Sequence, residues 1–267
     1  MRTIRRPLLL VFISLCALGA VYAAVFPKQA HSILGLPNQE PALATLRMAP
    51  AGSLSLVVEP QDGTQPVLNL IHNATTSIDM VMYELTDPDV EQALVDAKTR
   101  GVSVRVLLNE GYYGKQTGDY SEPQPINQPA YDYLKAHGIA AEWTPSYFAL
   151  THQKTLVADG KEALIMSFNL VPRYYATGRD FAVDDTDAAD VSAIEQAFAD
   201  DWAGYQDAAP QGDDLVWSPH AEGTLISLIE SASSTLDIYN EEIADQNIVD
   251  ALDAAAERGV VVRVDMT

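Results

Sequence analysis

Residues 77–106 read SIDMVMYELTDPDVEQALVDAKTRGVSVRV, and residues 235–264 read TLDIYNEEIADQNIVDALDAAAERGVVVRV. In the first stretch, Ser77 to Leu85 is an apolar run punctuated by Asp79, the pattern of a strand buried on both faces. Asp87 and Pro88 then suit a helix start, Val90, Ala93, Leu94 and Ala97 share one helical face, and Gly101 suits the stop. Val102 to Asn109 is a second strand. Strand, helix and strand with short joints form a βαβ unit, so the spacing predicts an α/β fold with a parallel or mixed sheet covered by helices. The second stretch repeats the first 158 positions later: Asp79 matches Asp237, Glu84 matches Glu242, and Arg100-Gly101 matches Arg258-Gly259. Shared charged residues in fixed register point to duplication rather than chance reuse of a common pattern.

Working outward, LVVEP at Leu56 recurs as LVWSP at Leu215. The strand signal from Leu54, a helical pattern from Val67 to His72 and a helix near Ala130–His137 belong to the first copy. Asn109 to Pro129 is a long loop rich in Gly, Tyr and Pro at a strand end, the place for a lid or substrate loop. THQKTLVADGKEALIMSFNL (Thr151–Leu170) reads as two strands joined at Asp159-Gly160, a two-residue hairpin turn. Ala188 to Tyr205 reads as an acidic-faced helix with Val191, Ile194, Phe198 and Trp202 inward. The division that follows is residues 54–205 for one full repeat, 206–214 for a linker, and 215–267 for the first βαβ portion of a second, incomplete repeat.

The chain has 267 residues with 16 Lys plus Arg against 37 Asp plus Glu, a net charge of −21. With 48% hydrophobic residues it has ample material for a core, which excludes a chain too polar to fold. The acid excess lacks the basic footprint of a non-specific nucleic-acid binder. Cys16 is the single cysteine, which excludes an internal disulfide and a thiolate metal site. Arg2, Arg5 and Arg6 followed by the apolar stretch Leu8–Phe26 have the layout of a secretory signal, residues 1–23, with cleavage after Ala23. An uncleaved membrane anchor is the competing reading. Residues 24–53 read as a flexible tether. The expected location is therefore exported, periplasmic or secreted, with a bacterial periplasm fitting a mature chain free of cysteine, or membrane-anchored if the segment stays.

The chemistry-bearing residues cluster around the hairpin: His152, Lys154, Asp159, Ser167 and Asn169. Strand alternation puts positions 152 and 154 on one face. An imidazole can attack phosphorus or protonate a leaving oxygen near neutrality, while a lysine beside it supplies fixed positive charge. Ser167 and Asn169 at the end of the partner strand offer hydrogen bonds to the same oxygens. This is a phosphodiester site that needs no metal and no cofactor. Asp159 already has a structural role as the first residue of a tight turn. His31, His72, His137 and His220 have no second ligand at metal spacing; only His220 falls near a repeat boundary. Trp143, Trp202 and Trp217 read as packing residues.

On these residues the sequence resembles the phospholipase D superfamily, whose HxKxxxxD motif stands here as His152-Gln-Lys154-Thr-Leu-Val-Ala-Asp159, followed after six residues by Met166-Ser167-Phe168-Asn169 in place of GSxN. The resemblance runs from about Leu54 to Thr267. It implies a phosphodiesterase or phosphatidyltransferase, similar to phospholipase D or cardiolipin synthase, with a mixed sheet flanked by helices. It also implies a two-step reaction in which one histidine attacks phosphorus to form a phosphohistidine while a second protonates the leaving group and then activates water or an alcohol; His152 would be the nucleophile or, if the repeats swap roles, the acid. Lys154, Ser167 and Asn169 would hold the phosphate; His152, Lys154 and Asp159 form the motif's catalytic set. Glu84 and Glu242 would orient a histidine. Met166 departs from the family's glycine. By the repeat offset the second motif would fall beyond Thr267, so the expected second half-site comes from a homodimer or from a C-terminal repeat outside this sequence.

The acid distribution bears on the substrate. Asp180 to Glu257 holds 20 acidic residues and no Lys or Arg, a field that repels a long polyanion. The expected substrate is a phospholipid headgroup at a membrane surface. An exported nuclease working as a homodimer is the second reading, and a non-catalytic remnant the third.

Overall fold

A computed structural model describes residues 52–110, 126–206 and 214–266. The expected signal and nearly all of the expected tether, with Cys16 and His31, lie outside the described residues, as do positions 111–125 of the polar loop and 207–213 of the linker. No helix among the described residues is long and apolar enough to cross a membrane. The chain divides into two compact units, with the boundary after Leu215.

The larger unit runs β1 (Leu54–Val58), α1 (Gln65–Asn73), β2 (Ser77–Met82), α2 (Pro88–Thr99), β3 (Ser103–Leu108), α3 (Gln128–Ala136), β4 (Ala140–Trp143), β5 (Thr155–Ala158), β6 (Glu162–Met166), α4 (Pro172–Tyr175), β7 (Phe181–Asp185) and α5 (Ala188–Ala203). Its seven strands form one sheet in the order β1-β7-β6-β5-β2-β3-β4. The β2–β3 and β3–β4 pairs are parallel and the rest antiparallel, the mixed sheet that the βαβ unit and the hairpin together require.

Both faces of the central strands are covered, which is why β2 reads as a nearly continuous apolar run. One side of the sheet shares a large core with Ile71, Val90, Leu94 and Leu134 from α1, α2 and α3. The opposite side packs Val81 and Leu107 against Phe198 and Trp202 of α5. Fully burying a side chain such as Phe198 contributes about 2 kcal/mol. The charged pair on that second side is accommodated by aromatic stacking. Arg105 Nε donates to Asp79 Oδ1 at 2.8 Å, and its guanidinium lies 4.8 Å from the Phe198 ring centroid and 5.7 Å from that of Trp202. Trp143 stacks on Tyr131 with centroids 4.4 Å apart.

Local chemistry sets the element ends. Asp87 caps α2 by accepting from Asp89 N, and Pro88 occupies the first turn where no amide partner is needed. The β5–β6 connection is one residue longer than the two-residue turn expected: the register pairs Ala158 with Glu162, Asp159 (φ 57°) and Gly160 (φ 62°) both take the left-handed region, and Lys161 N donates to Ala158 O at 3.0 Å.

The smaller unit contains α6 (Glu222–Ser231), β8 (Thr235–Asn240), α7 (Gln246–Glu257) and β9 (Val261–Met266), with β8 and β9 parallel. The bounds of β8, α7 and β9 are those of β2, α2 and β3 displaced by 158. Details repeat as well: Arg263 pairs with Asp237 at 2.8 Å as Arg105 pairs with Asp79, and Arg258 donates to Ile229 O as Arg100 donates to Ile71 O. The outer sheet face differs. Tyr239 and Asp265 stand where the first copy has Val81 and Leu107, so the apolar platform that seats α5 has no counterpart, and Tyr239 is 48% exposed.

Candidate active site

Strand β5 runs antiparallel to both of its neighbours, so its first residues meet the C-terminal ends of β2 and β6. Residues 151–154 enter β5 there. The segment after β6 runs beside the segment after β2: Leu170 N donates to Glu84 O at 3.0 Å, Thr86 N donates to Leu170 O at 2.9 Å, and Leu85 and Leu170 form a parallel bridge. This convergence brings His152, Lys154, Ser167, Asn169, Tyr83 and Glu84 to one end of the sheet.

Lys154 is buried at 3% exposure. Its Nζ donates to the His152 carbonyl oxygen at 2.9 Å and lies 3.3 Å from His152 Nδ1. Strand alternation was the expected cause of this adjacency, and the structure corrects it: His152 and Lys154 precede β5, which starts at Thr155, and the lysine reaches its neighbour by folding back onto that residue's own backbone. Burial, with the Lys154 charge adding to it, lowers the His152 pKa to about 4, so the imidazole is neutral at physiological pH. The Tyr83 ring meets His152 edge-on, with centroids 4.4 Å apart and planes at 68°, and Lys154 Nζ lies 5.2 Å from the same tyrosine ring.

Ser167 Oγ donates to Asp180 Oδ1 at 2.7 Å and accepts from Phe181 N at 3.0 Å. Its hydroxyl direction is therefore set by Asp180. The Asn169 amide oxygen is buried with no hydrogen-bond partner among the described residues. Met166 is 6% exposed and belongs to the large core, so the bulk that replaces the family's glycine packs among apolar side chains.

Asp159, expected in the same set, lies apart from this group. It lies at the far end of β5, where its carboxylate accepts from Thr75 N, Thr76 N and Ser77 N at 3.0, 2.7 and 3.1 Å and from the hydroxyls of Thr75 and Thr76. Burial opposes its ionisation, but these bonds outweigh burial and hold its pKa far below the usual carboxylate range. The residue ties the hairpin turn to the start of β2. Glu84 lies two positions beyond β2 and is 5% exposed, whereas its repeat partner Glu242, beyond β8 in the smaller unit, is exposed. His72, His137 and His220 are exposed and lie at or near helix ends or in a turn. No group of three or more potential metal ligands occurs among the described residues.

Three contributors escaped the sequence reading. Tyr83 was hidden inside a strand signal. Asp180 follows Ser167 by a chain reversal through α4 that no short motif spans. Asn127, fully buried, accepts from Leu85 N at 2.8 Å and donates to Tyr83 O and Asn109 O at 2.8 Å each. Asn109 Oδ1 in turn accepts from Thr151 N at 3.1 Å. One buried amide thus joins the ends of β2 and β3 to the segment that carries His152.

A family model described as cardiolipin synthase, PLD-like domain, matches residues 67–202. A phospholipase D of Rickettsia conorii is 31% identical over 110 residues, covering 41% of this chain and 49% of that protein. A phospholipase D of Rickettsia bellii is 29% identical over 139 residues, covering 52% of this chain and 58% of that protein. The chain thus spans about half the length of these curated relatives. Among solved structures, a phosphatidylserine synthase of Haemophilus influenzae aligns with a TM-score of 0.63 at 12% identity, covering 84% of this chain and 64% of that one, a likeness of fold.

Proposed function

The chain belongs to the phospholipase D superfamily, and from that premise we propose that it is a phosphodiesterase or phosphatidyltransferase acting on phospholipid headgroups, with His152 as the nucleophile. The observation that carries this reading is the buried Lys154 ammonium held 3.3 Å from a neutral imidazole. With the ammonium as donor, Nδ1 is the acceptor and the ring proton sits on Nε2. An incoming phosphate draws Lys154 onto its own oxygens; the ring then gives up its Nε2 proton to solvent and takes one at Nδ1, which leaves the Nε2 lone pair for phosphorus. The P–O bond to the leaving group breaks as the N–P bond forms. The leaving oxygen takes a proton from a second histidine, which a homodimer partner or a further repeat supplies. Water or an alcohol then gives its proton to that second histidine as its oxygen bonds to phosphorus and the N–P bond to His152 breaks, restoring the free enzyme. Asn169 assists in holding the phosphate oxygens through its amide Nδ2, and Ser167 does so by turning its single hydroxyl proton from Asp180 Oδ1 onto the phosphate.

The charge distribution supports a lipid over a polynucleotide. From Asp180 to Glu257 there are 20 acidic residues and no Lys or Arg, and a single headgroup phosphate needs only the local charge of Lys154. The test is release of choline, ethanolamine or glycerol from vesicles of the corresponding phospholipid. Release that His152→Ala abolishes supports the reading; cleavage of DNA without lipid turnover, or inactivity towards both, overturns it. The membrane surface and an exported location are part of the same proposal, and fractionation of the expressing cell tests the location.

A further inference from the structure

We propose that Tyr83 is a positioning residue whose ring holds Lys154 and His152 in their working geometry, an inference that rests on the phosphodiesterase reading of this site. Tyr83 touches both members of the pair in different ways. Its ring meets the His152 ring with centroids 4.4 Å apart and planes at 68°, the T-shaped arrangement that aromatic quadrupoles favour. Its ring also faces Lys154 Nζ at 5.2 Å, within the range where an ammonium is attracted to a π cloud. Lys154 is only 3% exposed, so its charge has little water to solvate it, and the π face is one of the groups that take water's place.

A ring can position others only if it is itself fixed. Tyr83 lies just past β2, and its carbonyl accepts from Asn127 Nδ2 at 2.8 Å. The next two residues are pinned through Glu84 O to Leu170 N and through Leu85 N to Asn127 Oδ1. Asn127 also reaches the histidine's segment, because Asn109, which accepts from it through the backbone, accepts Thr151 N through its side chain. The aromatic ring and the imidazole are therefore held against one buried amide network. In the reaction, the ring gives Lys154 a defined resting place beside Nδ1 and restricts rotation of the imidazole, so that phosphate binding moves the lysine and not the histidine.

The test compares Tyr83→Phe, which keeps the π face, with Tyr83→Leu, which keeps apolar bulk without it, and adds a pentafluorophenylalanine at position 83 that keeps the ring shape while reversing its quadrupole. Two readouts are taken: kcat and KM on a soluble phosphodiester, and the NMR titration of the His152 ring in the full chain. Tyr83→Phe should leave kcat within about twofold, while the leucine and fluorinated variants lower kcat by about tenfold with little change in KM, as loss of orientation does. In the same two variants the His152 midpoint should rise from about 4 toward 6.5 as Lys154 leaves Nδ1, and Tyr83→Phe should not move it. Because the fluorinated ring preserves packing, it decides the matter even if the leucine variant fails to fold. Identical titration and kcat in the phenylalanine and pentafluorophenylalanine chains overturn the proposal. A wild-type chain that turns over no phosphodiester overturns the functional reading instead, and the titration arm still decides the role of Tyr83.

Discussion

Lys154 Nζ lies 3.3 Å from His152 Nδ1 while donating to the His152 carbonyl oxygen, so a buried cation and a neutral base share one residue's worth of space. The histidine is held below its ordinary pKa first by burial and second by that charge. The acid limb of kcat/KM should therefore fall with a midpoint near 4 in the wild type. Lys154→Met should move the midpoint upward while burial still keeps it below 6.5, and should also lower kcat by at least about tenfold through loss of phosphate charge stabilisation. A pH–rate profile of both chains measures this, and coincident acid limbs would refute the coupling.

Ser167 Oγ depends on Asp180 for its direction. Ser167 must turn its single hydroxyl proton from Asp180 to a bound phosphate, so Asp180→Asn, which weakens the competing bond and removes a nearby negative charge, should lower KM for a soluble phosphodiester by a few-fold, about 1 kcal/mol or less, with the melting temperature nearly unchanged. Steady-state kinetics beside a thermal melt separates this from simple unfolding.

Five donor groups on residues more than eighty positions earlier in the chain bond to the Asp159 carboxylate. Asp159→Asn tolerates the turn conformation but loses the negative charge and acceptor capacity, so stability should drop by about 2 kcal/mol. Its folded pKa is depressed, so this contribution is present above the unfolded carboxylate pKa and is lost as pH falls toward the folded value. Urea melts at pH 7 and pH 3 should show a difference between wild type and variant that shrinks in acid.

Asp185 has the opposite sign. Only 2% exposed, it is raised to about 6 by burial and by the charges of Asp190, Asp187 and Asp214, against the opposing hydrogen bond from Asp187 N. A raised folded pKa contributes stability that is complete below the unfolded value near 3.8 and is lost as pH rises through about 6. His152 loses stability in the reverse direction between 6.5 and about 4, so the wild-type curve alone mixes the two effects. Asp185→Asn should be more stable than wild type at pH 8, with the gap clearly narrowed at pH 5 and closed only below the unfolded value near 3.8. An advantage that is the same at both pH values would argue against this assignment.

A second copy of the chain, if it completes the site, leaves a kinetic signature. Mixed with inactive His152→Ala and allowed to exchange, wild-type chains should lose activity with the square of their fraction, because every mixed pair lacks one histidine. A linear fall would assign the second acid–base group to the same chain.

The sequence alone determined the βαβ units, the hairpin and the motif around His152, because each is written in contacts of short range. Period 3.6 against continuous apolar runs separates helix from strand, and Asp-Gly marks a tight turn, whose third residue, Lys161, only the register revealed. A fixed offset exposes the repeat down to the Asp79–Arg105 and Asp237–Arg263 pairs. Only the tertiary structure decided where β5 lies in the sheet, and hence that its first residues meet the ends of β2 and β6. It set Asp159 apart from His152 and Lys154, because they lie at opposite ends of the four-residue strand β5. It buried Glu84 and exposed Glu242 from matching sequence positions, because side chains beyond the repeat decide what covers each strand end. It also brought Tyr83, Asn127 and Asp180 to the site through long-range pairing, which depends on three-dimensional packing and leaves no fixed spacing in the chain to read.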